Sequence, residues 1–274
     1  MQYRRLVPVA LLLLPLAAYA IDPPNFSSQY LVPVYADAVP GAGGSQWQTE
    51  LTVFHTGSTD VKLIAPVCQH MLPMPCDDEV MLTAGKAKSL RLVPKVAGGG
   101  ALIYFDDAPG QPMQLRVRDL SADSKGWGAE IPIVPTLDFT EDVYLVDIPN
   151  DPRYRATLRL YSLSANVSAT VKVSPLYDGP VIGENTYRLT TFLQLGDTYT
   201  FTPLHPDYAQ VDPLSAAVRA SGHERLRLHV HFHKNGPNFF PPRGWAFVSL
   251  TNNETQQVTV VTPQRHALVP TLPF

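Results

Sequence analysis

The stretch WQTELTVF (47–54) returns later in the chain as YRATLRLY (154–161). Trp47 answers to Tyr154, Leu51 to Leu158 and Phe54 to Tyr161. In the first copy Trp47, Thr49, Leu51 and Val53 fall on alternate positions, the period of a strand with one buried face. A turn follows each copy, TGSTD (56–60) and SLSANVS (162–168), and then a second strand-like run, VKLIAPV (61–67) and ATVKVSPLY (169–177). Each copy therefore reads as the first long strand of a hairpin, and the hairpin occurs twice.

The repeat extends in both directions. YLVPVYAD (30–37) corresponds to VYLVDIP (143–149). GGGALIYF (98–105) corresponds to RLRLHVHFH (225–233), MQLRVRDLSAD (113–123) to GWAFVSLTNN (244–253), and GAEIPIVP (128–135) to QQVTVVTP (256–263). Elements recurring in the same order mark two structural units. Strand-like runs at spacings of about ten residues, with turns between them, predict an all-β sandwich for each. EVMLTAGKAKSLRLVP (79–94) predicts two short strands around Ala84-Gly85, and Tyr187–Thr191 and Tyr199–Thr202 predict strands in the second unit. HPDYAQVDPLSAAVRAS (205–221) is the least strand-like stretch and predicts a helical turn or short helix. The expected organisation is two tandem immunoglobulin-like β-sandwich domains, 21–137 and 138–274, with the boundary in TLDFTED (136–142).

Composition agrees with this class. The 27 prolines are about twice the usual share of about 5%, and proline is excluded from helix interiors and central strands. A hydrophobic content of 45% with 16% charged residues fits a chain with a real core. A net charge of −3 gives no basic field for nucleic acid. Residues 1–20 read as a secretory signal peptide: Arg4 and Arg5, the apolar run Leu6 to Leu16, then Ala18-Tyr19-Ala20. The mature chain is expected to start at Ile21, to carry no membrane span, and to be exported to the periplasm or the exterior.

The W-[RQ]-T-[DE]-L strand, the turn and V-x-[LV] strand after it, and an N-x-[ET] run closed by V-x-P together resemble a group of secreted bacterial proteins with tandem immunoglobulin-like sandwich repeats. Trp47, Thr49, Glu50 and Leu51 carry the resemblance in the first unit. Trp245, Asn252, Asn253, Glu254, Thr255 and Pro263 carry it in the second. Tyr154-Arg155-Ala156-Thr157 departs from the pattern. These are framework positions. The resemblance implies fold and export and supplies no catalytic residues.

Several residues are candidates for function. Cys68 and Cys76 are the only cysteines, and in an exported chain they read as a local disulfide, with a metal site that includes His70 as the alternative. Arg225 to His233 alternates without a break: Leu226, Leu228, Val230 and Phe232 face one way, and Arg225, Arg227, His229, His231 and His233 the other. Histidines at i and i+2 on one strand face can share zinc or copper. The same pattern also describes a solvent face, or a patch that charges near pH 6–6.5. Arg227 beside His229 opposes a cation. Asp77-Asp78-Glu79 and Asp106-Asp107 lack the ordered spacing of a calcium loop. No G-x-S-x-G elbow occurs. Trp47, Trp127 and Trp245 sit in strand patterns, where a core role outweighs sugar stacking. Phe239 and Phe240 lie in a Pro/Gly-rich loop and mark either a contact surface or a cap on the sandwich end. The expected function is a non-enzymatic binding or structural module with an unidentified protein or glycan partner and no cofactor. The alternative is a metal-binding protein centred on His229, His231 and His233.

Overall fold

The computed structural model describes residues 29–41, 44–65, 79–92, 99–105, 111–120, 128–164, 166–189, 206–235 and 242–263. The expected signal segment, the Cys68–Cys76 loop, Trp127, and Phe239 and Phe240 lie outside the described residues. What is described is all-β, with a single short helix, α1 (Ala216–Arg219), capped by the Ser215 hydroxyl.

In the first half the strands are β1 (Gln29–Val32), β2 (Val39–Pro40), β3 (Gln46–Phe54), β4 (Val61–Ile64), β5 (Glu79–Leu82), β6 (Ala87–Leu90), β7 (Ala101–Phe105), β8 (Met113–Asp119), β9 (Ala129–Ile131) and β10 (Val134–Pro135). They form two antiparallel sheets. One has the order β10-β1-β7-β4-β5, and the other the order β2-β3-β8-β9 with β6 also on β3. In the second half they are β11 (Asp142–Pro149), β12 (Tyr154–Ser162), β13 (Val167–Pro175), β14 (Gly183–Arg188), β15 (Asp207–Val211), β16 (Arg225–Lys234), β17 (Gly244–Asn252) and β18 (Val258–Val261). These form sheets β11-β16-β13-β14 and β15-β12-β17-β18. Eight strands of the first half recur in the second: β1-β7-β4-β5 has the same order as β11-β16-β13-β14, and β6-β3-β8-β9 the same as β15-β12-β17-β18, while β2 and β10 have no counterpart.

Counted within a half, the second strand pairs the fifth and the third pairs the sixth, as in an immunoglobulin sandwich. The other strands depart from that plan: the first lies beside the sixth, the fourth beside the third and the seventh beside the second, with an eighth beside the seventh.

The alternation read from the sequence sets the faces. Thr49, Leu51 and Val53 of β3 are buried and Glu50 is exposed. Leu226, Leu228, Val230 and Phe232 of β16 are buried, as its pattern predicts. In β11 the buried positions run Val143, Leu145, Ile148, because a bulge at Asp147 takes up one extra residue. Asp147 has φ 70, and its carboxylate accepts from the Arg225 guanidinium. The 205–221 stretch holds both the expected helix and a strand, β15, which polar residues and prolines hide in the sequence. The strand expected near Tyr187 is β14 and begins earlier, at Gly183.

Each half has its own hydrophobic cluster, but the first cluster reaches across. Tyr161, Trp245 and Phe247 of the second half pack with Leu31, Val34 and Leu102 of the first. The Tyr161 hydroxyl donates to the Pro33 carbonyl. Gly100 leaves room for the ring, since a Cβ there would lie 2.8 Å from Tyr161 Cε1. The edge strands β9 and β18 also touch.

Candidate functional site

The outer face of β12 and β17 makes one wall of a cleft between the halves. In β12 the even residues Ala156, Leu158 and Leu160 enter the second core, so Arg155, Thr157, Arg159 and Tyr161 point the other way. In β17 the same parity sends Ala246, Val248 and Leu250 inward and Trp245, Phe247, Ser249 and Thr251 outward. The register sets Tyr161 opposite Trp245, Arg159 opposite Phe247, Thr157 opposite Ser249 and Arg155 opposite Thr251. The aromatic end of this face is sealed against the first half. The arginine end opens into a cleft of about 320 Å³, whose far wall includes Val34, Val39, Trp47, Val117 and Ile131. That volume is at the lower end of the roughly 300–1,000 Å³ of small-molecule sites.

Arg159 is held in this cleft. Its Nη1 donates to Ser249 Oγ at 2.7 Å, and its guanidinium carbon lies 5.6 Å from the centre of the Phe247 ring. Its Nε is buried and has no hydrogen-bond partner among the described residues. The Arg155 side chain makes no ion pair or hydrogen bond with a described residue. The described lining contains these two arginines and no Asp or Glu. Burial pushes the Tyr208 phenol above its ordinary range, and the charge of Arg159 and a side-chain hydrogen bond with it partly oppose the rise.

The histidine strand is the second constellation. β16 lies between β11 and β13, and its histidines face outward, partly exposed. His229 Nε2 lies 2.6 Å and His231 Nδ1 3.0 Å from Asp142 Oδ1. His231 Nε2 is 3.9 Å from Glu141 Oε1. His229 stacks on Tyr144, with ring centres 4.5 Å apart. His233 stacks beside His231, ring centres 6.1 Å apart, but its Nε2 is 3.1 Å from Thr170 Oγ1 and makes no bond to Asp142. Partial burial pushes the Asp142 carboxyl up, but the hydrogen bonds and charges of His229 and His231 outweigh this and hold it below the usual carboxylate range. Among the described residues no group of three or more His, Cys, Asp or Glu side chains is arranged to hold a metal ion. The Asp142 oxygen itself occupies the point on which the two ring nitrogens converge.

The tryptophans divide. Trp245 is buried at 5% exposure, but on the outer face of its own sheet, under the first half. Trp47 packs at the rim of the first core and lines the cleft.

No family model, no curated protein and no solved structure matches the chain.

The cleft was not foreseen from the sequence. Its signal was an aromatic residue at an outward position. Leu158 sets the inward parity of β12, so Tyr161 must face out, as Phe54 does in the first copy. Phe54 stays 41% exposed and Tyr161 is completely buried. What covers Tyr161 is distant in sequence and could be found only in three dimensions.

Proposed function

We propose that the protein is an exported, non-enzymatic binding module of two immunoglobulin-related sandwich domains, and that its ligand sits in the cleft between them. The observation that carries this is the cleft's lining: an apolar floor and two arginines without acidic partners among the described residues. No described lining residue is a His, Cys, Asp, Glu or Lys, so none of them supplies a general base or an activated nucleophile. Hydroxyls from Thr157, Ser249 and Thr251 add the few orienting groups that a binding site needs. Each unit keeps the two central pairs of the immunoglobulin plan and places its other strands differently. Export rests on the signal-like segment, and mass measurement of the secreted chain should give a start at Ile21.

The test is a small-molecule thermal-shift screen of the full chain beside Thr157→Trp, whose indole would fill the cleft. A ligand at 100 times its Kd stabilises a protein by about 2.7 kcal/mol. Compounds that raise the Tm of the wild type and leave Thr157→Trp unmoved support the reading. A screen in which every hit shifts both proteins equally rejects it.

A second reading is favoured by the convergence of His229 and His231 on Asp142. Zinc or copper would enter by turning Asp142 from hydrogen-bond acceptor into ligand. Isothermal titration with zinc or copper against His229→Ala/His231→Ala decides it, and equal weak binding by both proteins rejects a metal site. His233→Ala should bind as the wild type does, because His233 bonds Thr170 instead.

A further inference from the structure

The cleft's charge has no counterpart within the described protein. Arg159 is clamped by Ser249, Tyr208 and Phe247 and keeps an unpartnered buried Nε. A guanidinium fixed in advance loses little conformational entropy when a ligand arrives. A partly buried cation without a counter-ion is costly, and a bound anion offsets that cost. The lining offers cationic donors and no carboxylate acceptor, so it matches a ligand that accepts hydrogen bonds at one end. Val34, Val117 and Ile131 opposite carry no polar side-chain atom, and with the Trp47 ring they match an apolar body. Arg155 stands four residues from Arg159 on the same strand face, about 13 Å away at roughly 3.3 Å per residue. It therefore adds field across the opening and does not share the point of contact.

We propose that the cleft takes a small amphipathic acid, a carboxylate or sulfonate on an apolar body, with Arg159 as the anchor for the anionic group. This rests on the cleft being the binding site.

Two fluorescent probes of similar apolar bulk separate the claims: 8-anilinonaphthalene-1-sulfonate, which is anionic, and N-phenyl-1-naphthylamine, which is neutral. Each is titrated into the full chain, Arg159→Gln, Arg155→Gln/Arg159→Gln and Thr157→Trp, with folding checked by circular dichroism. The sulfonate should bind the wild type about tenfold or more tightly than the neutral probe, the worth of one charge-assisted contact. The double glutamine variant should lose that margin and leave the neutral probe within about twofold. Raising the salt concentration should weaken sulfonate binding to the wild type, an arm that needs no variant. Equal binding of both probes, insensitive to salt and to the arginine changes but lost in Thr157→Trp, overturns the anion specificity and keeps the cleft. Failure of both probes to bind, or binding that Thr157→Trp leaves intact, overturns the cleft and the anion proposal together.

Discussion

Truncating Tyr161 should cost far more than truncating Phe54, although the two occupy equivalent places in the repeat. Tyr161 is 0% exposed, and its ring packs beside Trp245 and Phe247 against the first half. A buried aromatic of this kind removes roughly 150–250 Å² from water. At about 25 cal/mol per Å² that is about 4–6 kcal/mol, an upper bound because unfolded chains already bury some surface. The lost hydroxyl bond to the Pro33 carbonyl adds about 1 kcal/mol. Observed truncations of buried aromatics run at about 3–5 kcal/mol, so Tyr161→Ala should cost about 4 kcal/mol. Tyr161→Phe keeps the ring and should cost about 1–2 kcal/mol. Phe54→Ala, at a side chain 41% exposed, should cost about 1 kcal/mol or less. Equilibrium urea unfolding followed by tryptophan fluorescence gives the midpoints, compared at matched slope. If Tyr161→Ala is no worse than Phe54→Ala by more than about 0.5 kcal/mol, the packing of the halves described above is wrong.

Three further outcomes are expected. Gly100→Ala would place a Cβ 2.8 Å from Tyr161 Cε1 and 3.3 Å from the Pro33 carbonyl oxygen, so it should lower stability by about 1–3 kcal/mol in the same assay. His55 is held by the Thr59 carbonyl at 2.5 Å and by Gln111 Oε1 at 3.1 Å, and these acceptors, Thr59 first, raise its pKa. A raised folded pKa adds stability that is full below the unfolded value of about 6.5 and fades as pH rises through the folded value, so the gap between wild type and His55→Ala should narrow from pH 6 to pH 9. Asp142 has the opposite sign: its lowered pKa gives stability present above about 3.9 and lost as pH falls through the folded value. Asp142→Asn should therefore differ from wild type at neutral pH and converge with it in acid, and a constant gap across that range would reject the His229–Asp142–His231 linkage.

Much of the architecture was legible in the chain because period-two patterning is local. The inward parity of β3 and β16 follows from Leu51 and from Leu226 to Phe232, and their burial matches. The short strands on either side of Ala84-Gly85 are present, but they belong to opposite sheets, since β5 pairs β4 and β6 pairs β3. β15 escaped because its few apolar residues are divided between two clusters, Ala209 and Val211 packing on the second core and Tyr208 on the first. The bulge at Asp147 escaped because φ 70 at an aspartate leaves no pattern in the residues around it.

The site divided along the same line. His229, His231 and His233 were visible as one face, because a strand places i, i+2 and i+4 together. Which of them share a partner was decided by neighbours: Asp142 on β11 gathers two, and Thr170 on β13 takes the third. By itself the sequence determined the all-β class, the recurrence of the long strands in one order and the inward faces of β3 and β16, since these depend on residues a few positions apart. Only the tertiary structure decided that Tyr161, Trp245 and Phe247 are covered while Arg155 and Arg159 line a cleft. Parity says that a side chain leaves its own core, and only the placement of the other half says whether it meets water, a wall or a cavity.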